Sequence, residues 1–180
     1  MKNRKYENPI IGDKVTFLKT AGETNGELTL IEVELKAGGG NSLHYHRVFS
    51  ETFEVIEGTL GVHVGKKYRT LNEGESFTIP PHVLHNFQND SDKPIKFRVE
   101  LRPGHSGFEK CVQIGYGLAG DGRTNKKGIP HKLSHLAVIL GLGDTNLPGV
   151  YTFMTTVLLL MAARARRKGI EMELVNQYCI

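Results

Sequence analysis

The sequence predicts a mainly β protein, an antiparallel barrel or sandwich followed by a C-terminal hairpin of two helices. Two observations predict it. Across residues 14–101, short runs rich in β-branched and aromatic side chains are separated by glycine, asparagine and proline. From Leu133 onward, apolar residues return at helical spacing. A chain of 180 residues with 39% hydrophobic content can bury one sizeable core, so a single barrel with an appended element is expected.

Residues 1–8 are polar and basic, and Pro9, Ile10, Ile11 and Gly12 follow in place of the long apolar run of a secretory signal. A cytoplasmic protein is expected. Strands are expected at residues 28–35, 52–56, 59–64, 77–79 and 95–101, punctuated by Gly38-Gly39-Gly40, Glu57-Gly58, Asn72-Glu73-Gly74, Pro80-Pro81 and Asn89-Asp90-Ser91-Asp92. Residues 104–128 are glycine-rich and basic and read as a long surface segment or lid without a firm element. Leu133, Leu136, Ala137 and Leu140 then mark a first helix ending near Gly141 and Gly143. A second starts after Pro148-Gly149 and ends in Arg164, Arg166, Arg167 and Lys168 before Gly169, the cation-then-glycine pattern of a helix C-terminus. The division expected is therefore a barrel over residues 1–103 and an extension over residues 104–180 that packs on the barrel or at an interface.

Composition narrows the function classes. The net charge of +4 is spread in short clusters, and the densest one is explained by the helix end, so no nucleic-acid partner is expected. The apolar stretch at residues 150–163 is broken by three threonines and falls short of the ~20 residues of a membrane span, so no stable membrane insertion is expected. Cys111 and Cys179 lie far apart without CxxC spacing, which argues against a disulfide framework and a thiolate zinc site. Gly38-Gly39-Gly40 lacks the lysine and helix of a phosphate loop, and no serine or cysteine sits in a nucleophile elbow.

The chemistry-bearing residues begin after Gly38. His44 and His46 lie two apart, and in extended chain such positions share a face. Alone, the pair is weak evidence. Glu51 follows after four residues and opens a run in which Phe53 and Val55 share its face. An inward Glu51 places a carboxylate in an apolar lining, where a cation is the natural compensation. His85 follows Pro80-Pro81 and completes three imidazoles and one carboxylate. That set suits Fe, Mn, Ni, Zn, Cu or Co better than calcium or magnesium.

Gly38, His44, His46, Glu51 and Gly58, with Gly74, Pro80, His82, His85 and Asn89, resemble the two motifs of the cupin superfamily at nine of ten marked positions. The departure is His82, where the family carries a glycine that serves a tight turn. The resemblance covers about residues 28–103. It implies an antiparallel double-stranded β-helix, or jelly-roll barrel, of the small single-barrel type. It also implies one divalent transition metal on His44, His46, Glu51 and His85 near an open end, and a homodimer. Phe53, Phe77, His82 and Phe87 are the candidate walls of a substrate pocket. Tyr45 is expected to point outward, Arg98 and Arg102 to lie on the outer surface, and His63, His105, His131 and His135 to be ordinary. The function expected is a metal-dependent barrel acting on a small organic molecule by oxygenase, isomerase or lyase chemistry, a dioxygenase or isomerase among the possibilities. The alternative is a non-catalytic barrel that binds or senses a small molecule.

Overall fold

The computed structural model describes residues 3–149 and 151–179, leaving aside the side chains of residues 151–155. Val150, which opens the apolar stretch considered above, lies outside the described residues, as do Met1 and Lys2 of the basic N-terminus.

Among the described residues nine strands form two antiparallel sheets: β1 (Lys5–Asn8), β2 (Asp13–Lys19), β3 (Thr29–Leu35), β4 (Ser50–Glu57), β5 (Thr59–Val64), β6 (Lys67–Asn72), β7 (Ser76–Ile79), β8 (His85–Gln88) and β9 (Ile95–Arg102). One sheet runs β1-β2-β3-β9-β4-β7 and the other β6-β5-β8, the two-sheet arrangement of a jelly-roll. The alternation visible in the sequence builds the core. On β4, Glu51, Phe53 and Val55 are buried, and on β9 Ile95, Phe97, Val99 and Leu101 point the same way. They meet Phe17, Leu60 and Val62 in one apolar cluster. The outward residues of β9 are paired across the sheet: Arg98 lies 3.6 Å from Glu32 and 3.8 Å from Glu54, and Arg102 lies 2.9 Å from Glu27. Both arginines stand on the outer surface, away from the interior.

Two expectations are corrected here. The N-terminal segment, for which no strand was expected, carries β1, an edge strand that packs the Tyr6 ring against Phe17, with 5.8 Å between centroids. The segment read as a loop or lid carries α1 (Ser106–Gly120), a fifteen-residue helix. Its four glycines lower helix propensity by about 1 kcal/mol each relative to alanine, which hides it in the sequence. Tertiary packing overrides that. Phe108, Val112 and Tyr116, at helical spacing, lie against the barrel core, while Ile114 and Leu118 enter a second cluster with Val138, Ala165 and Leu174. Gly117 is required by close approach, since the Tyr178 ring occupies the place of a side chain there. Glu109 ties the helix down by accepting from the Ala21 N–H at 2.6 Å and the Thr29 hydroxyl at 2.7 Å.

The two expected helices are α2 (Leu133–Leu142) and α3 (Tyr151–Arg167). Gly169, at φ +76°, ends the second run as its sequence suggests, but the chain turns directly into α4 (Ile170–Tyr178). Among the described residues there are thus four helices rather than a hairpin of two, and all four contribute to the second core.

Candidate metal centre

His44 and His46 do not sit on a long strand. The segment that holds them is a bridge between two parts of the chain. On one side His44 and His85 exchange both backbone hydrogen bonds, at 3.0 and 2.8 Å. On the other, Tyr45 exchanges both with Asn146, at 3.0 Å each. This extended geometry keeps His44 and His46 on one face and buried, with Tyr45 half-buried beneath the C-terminal segment. β4 contributes Glu51 and β8 contributes His85.

The ligand atoms of His44, His46, Glu51 and His85 all lie within 4.8 Å of one another, and each residue is less than a tenth exposed. Backbone carbonyls orient the rings. The Nδ1 of His44 lies 2.8 Å from the Ser42 carbonyl, that of His46 3.1 Å from the Asp144 carbonyl, and that of His85 2.9 Å from the Val83 carbonyl. A carbonyl only accepts, so each Nδ1 carries the proton and each Nε2 faces the others. His44 and His46 then present two nitrogen lone pairs to each other across 3.1 Å. That contact is unfavourable until a cation lies between them. His85 Nε2 lies 2.9 Å from Glu51 Oε2, and His46 Nε2 lies 3.8 Å from Glu51 Oε1. An ion with bonds of about 2.0–2.2 Å separates its ligand atoms by about 3–4 Å, so these pairs fit a first-row divalent metal.

The electrostatics agree with a cation-ready site. Burial, with His85 and His46 nearby, drives the His44 pKa down to about 4, so its ring is neutral near pH 7. Burial likewise lowers His46. Burial pushes Glu51 up, but the hydrogen bond from His85 and the surrounding imidazoles outweigh it and hold the carboxyl at about 2. Burial opposes charge on His85, while the Glu51 hydrogen bond and charge win and raise its pKa. Without metal, His85 is therefore the ring that keeps a proton on Nε2 toward Glu51.

Beside the ligands is a cavity of about 200 Å³ lined by His44, Glu51, Phe53 and Phe87 among others, smaller than the ~300–1,000 Å³ of drug-sized sites and suited to a small ligand. Phe53 and Phe87 stand where a pocket wall was expected. Phe77 and His82 do not: Phe77 lies under the Arg69 guanidinium, 4.7 Å from its centroid, beside an outer groove, and His82 is exposed. His82 instead has φ +67°, the left-handed turn for which a glycine is suited, and its N–H donates to the His46 carbonyl at 2.7 Å.

Residues 31–101 match the cupin domain family, and all four clustered residues lie in that span. The barrel has the cupin fold. No curated protein matches the chain. Among solved structures, an RmlC-like cupin from Shewanella frigidimarina is similar at 26% identity and a TM-score of 0.50, over 59% of this chain and 90% of that one. KdgF from a Halomonas species is similar at 17% identity and a TM-score of 0.50, over 56% of this chain and 87% of that one. What surrounds the matched cupin span is therefore informative. Outside it lie β1, β2 and all four helices. No helix of the described residues is long and apolar enough to cross a membrane.

Three residues in these flanks reach the cupin site, and the sequence reading passed over them. Asp144, just past α2 at φ +46°, places its carbonyl on His46 and accepts with its carboxylate from the Arg47 and Val48 N–H groups and the Arg47 side chain. Asp13 and Tyr116 line the cavity. A partner about a hundred residues away leaves no spacing signal; a polar residue inside a glycine-rich helix end was the sole hint at Asp144.

Proposed function

We propose that this cupin barrel holds one divalent transition metal on His44, His46, Glu51 and His85 and acts with it on a small organic molecule. The observation that carries this reading is the pair of unprotonated Nε2 atoms 3.1 Å apart, closed by a buried carboxylate and a third imidazole. Three nitrogens and one oxygen suit Fe, Mn, Ni, Zn, Cu or Co. Bound there, such an ion supplies Lewis-acid polarisation of a substrate oxygen or, where it is redox-active, electron transfer. The remaining work falls to the chain. Carbonyls of Ser42, Asp144 and Val83 hold the three rings in one tautomer, the arrangement that raises ligand basicity and fixes orientation. Glu51, ionised and buried, supplies the anionic ligand at the cavity. Phe53, Phe87, Val99 and Phe108 give the cavity an apolar wall. Oxygenase, isomerase and lyase chemistry are all within reach of that set.

Elemental analysis of protein purified without chelators or nickel resin tests the site. Wild type should carry close to one equivalent of a transition metal, and His46→Ala and His85→Ala should lose it. Equal metal content in all three proteins would sink the four-ligand centre. Oxygen uptake by the iron-loaded protein across a panel of diols, keto acids and thiols then separates the reaction classes, a dioxygenase consuming oxygen and an isomerase or lyase not.

A further inference from the structure

The cavity beside the metal ligands has a second polar group that the proposed metal chemistry does not use. Asp13 is 3% exposed and lines the cavity with Tyr116, His44 and Glu51. Its Oδ2 accepts the Tyr116 hydroxyl, while Oδ1 has no hydrogen-bond partner among the described residues. Buried acceptors in folded proteins are nearly always paired, and a carboxylate left half-used loses free energy. The Tyr116 hydroxyl has spent its only proton on Asp13, so the pair presents acceptors and no donor to the cavity. Val15, Ile31 and Val33 of the same lining are apolar and offer nothing to Oδ1, and Asn41, also in the lining, makes no hydrogen bond to it.

The chain is built to place this group. In the turn between β1 and β2, Asn8 Oδ1 accepts from the Ile10 and Ile11 N–H groups at 3.0 and 3.3 Å, and Gly12 takes φ +69°. Asp13 then opens β2 in register with Leu35. Tyr116 arrives from α1 on the other side of the barrel sequence. Both residues lie outside the matched span of residues 31–101. Lys36 is the cation whose charge reaches Asp13.

We propose that Asp13, positioned by Tyr116, is a substrate-recognition residue that accepts a hydrogen bond from a hydroxyl or ammonium group of the ligand held at the metal. This rests on the metal reading above. The ligand class that follows is a small molecule with an oxygen head for the metal, a short apolar body against the phenylalanines, and a separate hydrogen-bond donor for Asp13. A site that pairs with a donor rejects the analogue lacking it, because the buried acceptor is then stranded.

The test uses cobalt(II)-loaded protein, whose visible spectrum reports on the metal alone, titrated with γ-aminobutyrate, γ-hydroxybutyrate and their methyl isostere valerate, each with its next shorter and longer homologue. For at least one chain length, wild type should bind the amino or the hydroxy acid about ten- to a hundredfold more tightly than the isostere. The amino and hydroxy arms show which donor is preferred. Asp13→Asn turns an N–H toward the cavity while keeping an acceptor for Tyr116, and should abolish any preference for the amino acid with the cobalt spectrum unchanged. As a readout that needs no variant, the carboxyl resonance of isotope-labelled Asp13 in zinc-loaded protein should move with the donor ligand and not with valerate. Equal affinity for donor and isostere at every length, an amino-acid preference that survives in Asp13→Asn, or an Asp13 resonance that does not respond to the donor ligand would overturn the proposal. Failure of cobalt to bind at all would instead overturn the metal reading.

Discussion

Replacing Asp13 by asparagine should stabilise the metal-free protein, and by an amount that depends on pH in a defined way. Burial pushes the Asp13 carboxyl up from 3.8 to about 6, against the opposing hydrogen bond from Tyr116 and the charge of Lys36. A folded-state pKa above the unfolded value means that the native protein holds a proton the unfolded chain has released. Stability from this group is thus full below 3.8 and declines as pH rises to about 6, above which the loss is constant. A shift of about 2 units at 1.36 kcal/mol each amounts to about 3 kcal/mol, and the residue is too buried for solvent to screen it away. Asparagine fills the same space, still accepts from Tyr116 and does not ionise. The measurement is urea denaturation of both proteins with chelator present, from about pH 4 to about pH 8. The stability difference should rise by about 1.4 kcal/mol per pH unit through the window and level off near pH 7. A difference that stays flat across the range would show that Asp13 is not a buried carboxyl of raised pKa, and the reading of its surroundings would fail.

Other outcomes follow from the same geometry. Asp144→Ala removes the carboxylate that pins the Arg47 and Val48 N–H groups beside His46, and should weaken metal binding by about ten- to a hundredfold in competition with a chromophoric chelator. An unchanged affinity would deny Asp144 that role. Because Glu51 raises the pKa of His85 against its burial, the metal-free ring contributes stability below its ordinary 6.5 that is lost as pH rises through the raised value. Metal must displace that proton, so affinity should rise with pH over the same window, and calorimetry in buffers of different ionisation enthalpy should find proton release at pH 6 exceeding that at pH 9. Gly117→Ala drives a methyl group into the Tyr178 ring and should destabilise by about 1–3 kcal/mol in urea titrations; a neutral result would mean that α1 and α4 separate easily.

The sequence by itself determined the barrel strands and the shared faces of His44 with His46 and of Glu51 with the core, for a local reason, while His85 joined the set through the resemblance to the cupin motifs. Alternation on β4 carries Glu51 inward with Phe53 and Val55, and the two-residue step places His44 with His46, so the side-chain directions are written in short-range order. His82 was likewise legible as an irregular turn position, though its exposed ring shows that its role there is backbone geometry rather than pocket lining. Helix α1 was not legible. Its glycines obscure a helix that is stabilised by faces packed on two cores, and those contacts come from residues far away in the chain. For the same reason only the tertiary structure decided what surrounds the metal ligands. Asp144 reaches His46 across 98 residues, and Tyr116 reaches Asp13 across 103. Periodicity reports which face of an element is buried; which elements meet at that face depends on packing between distant segments, and here that packing placed an unpaired carboxylate oxygen in the cavity.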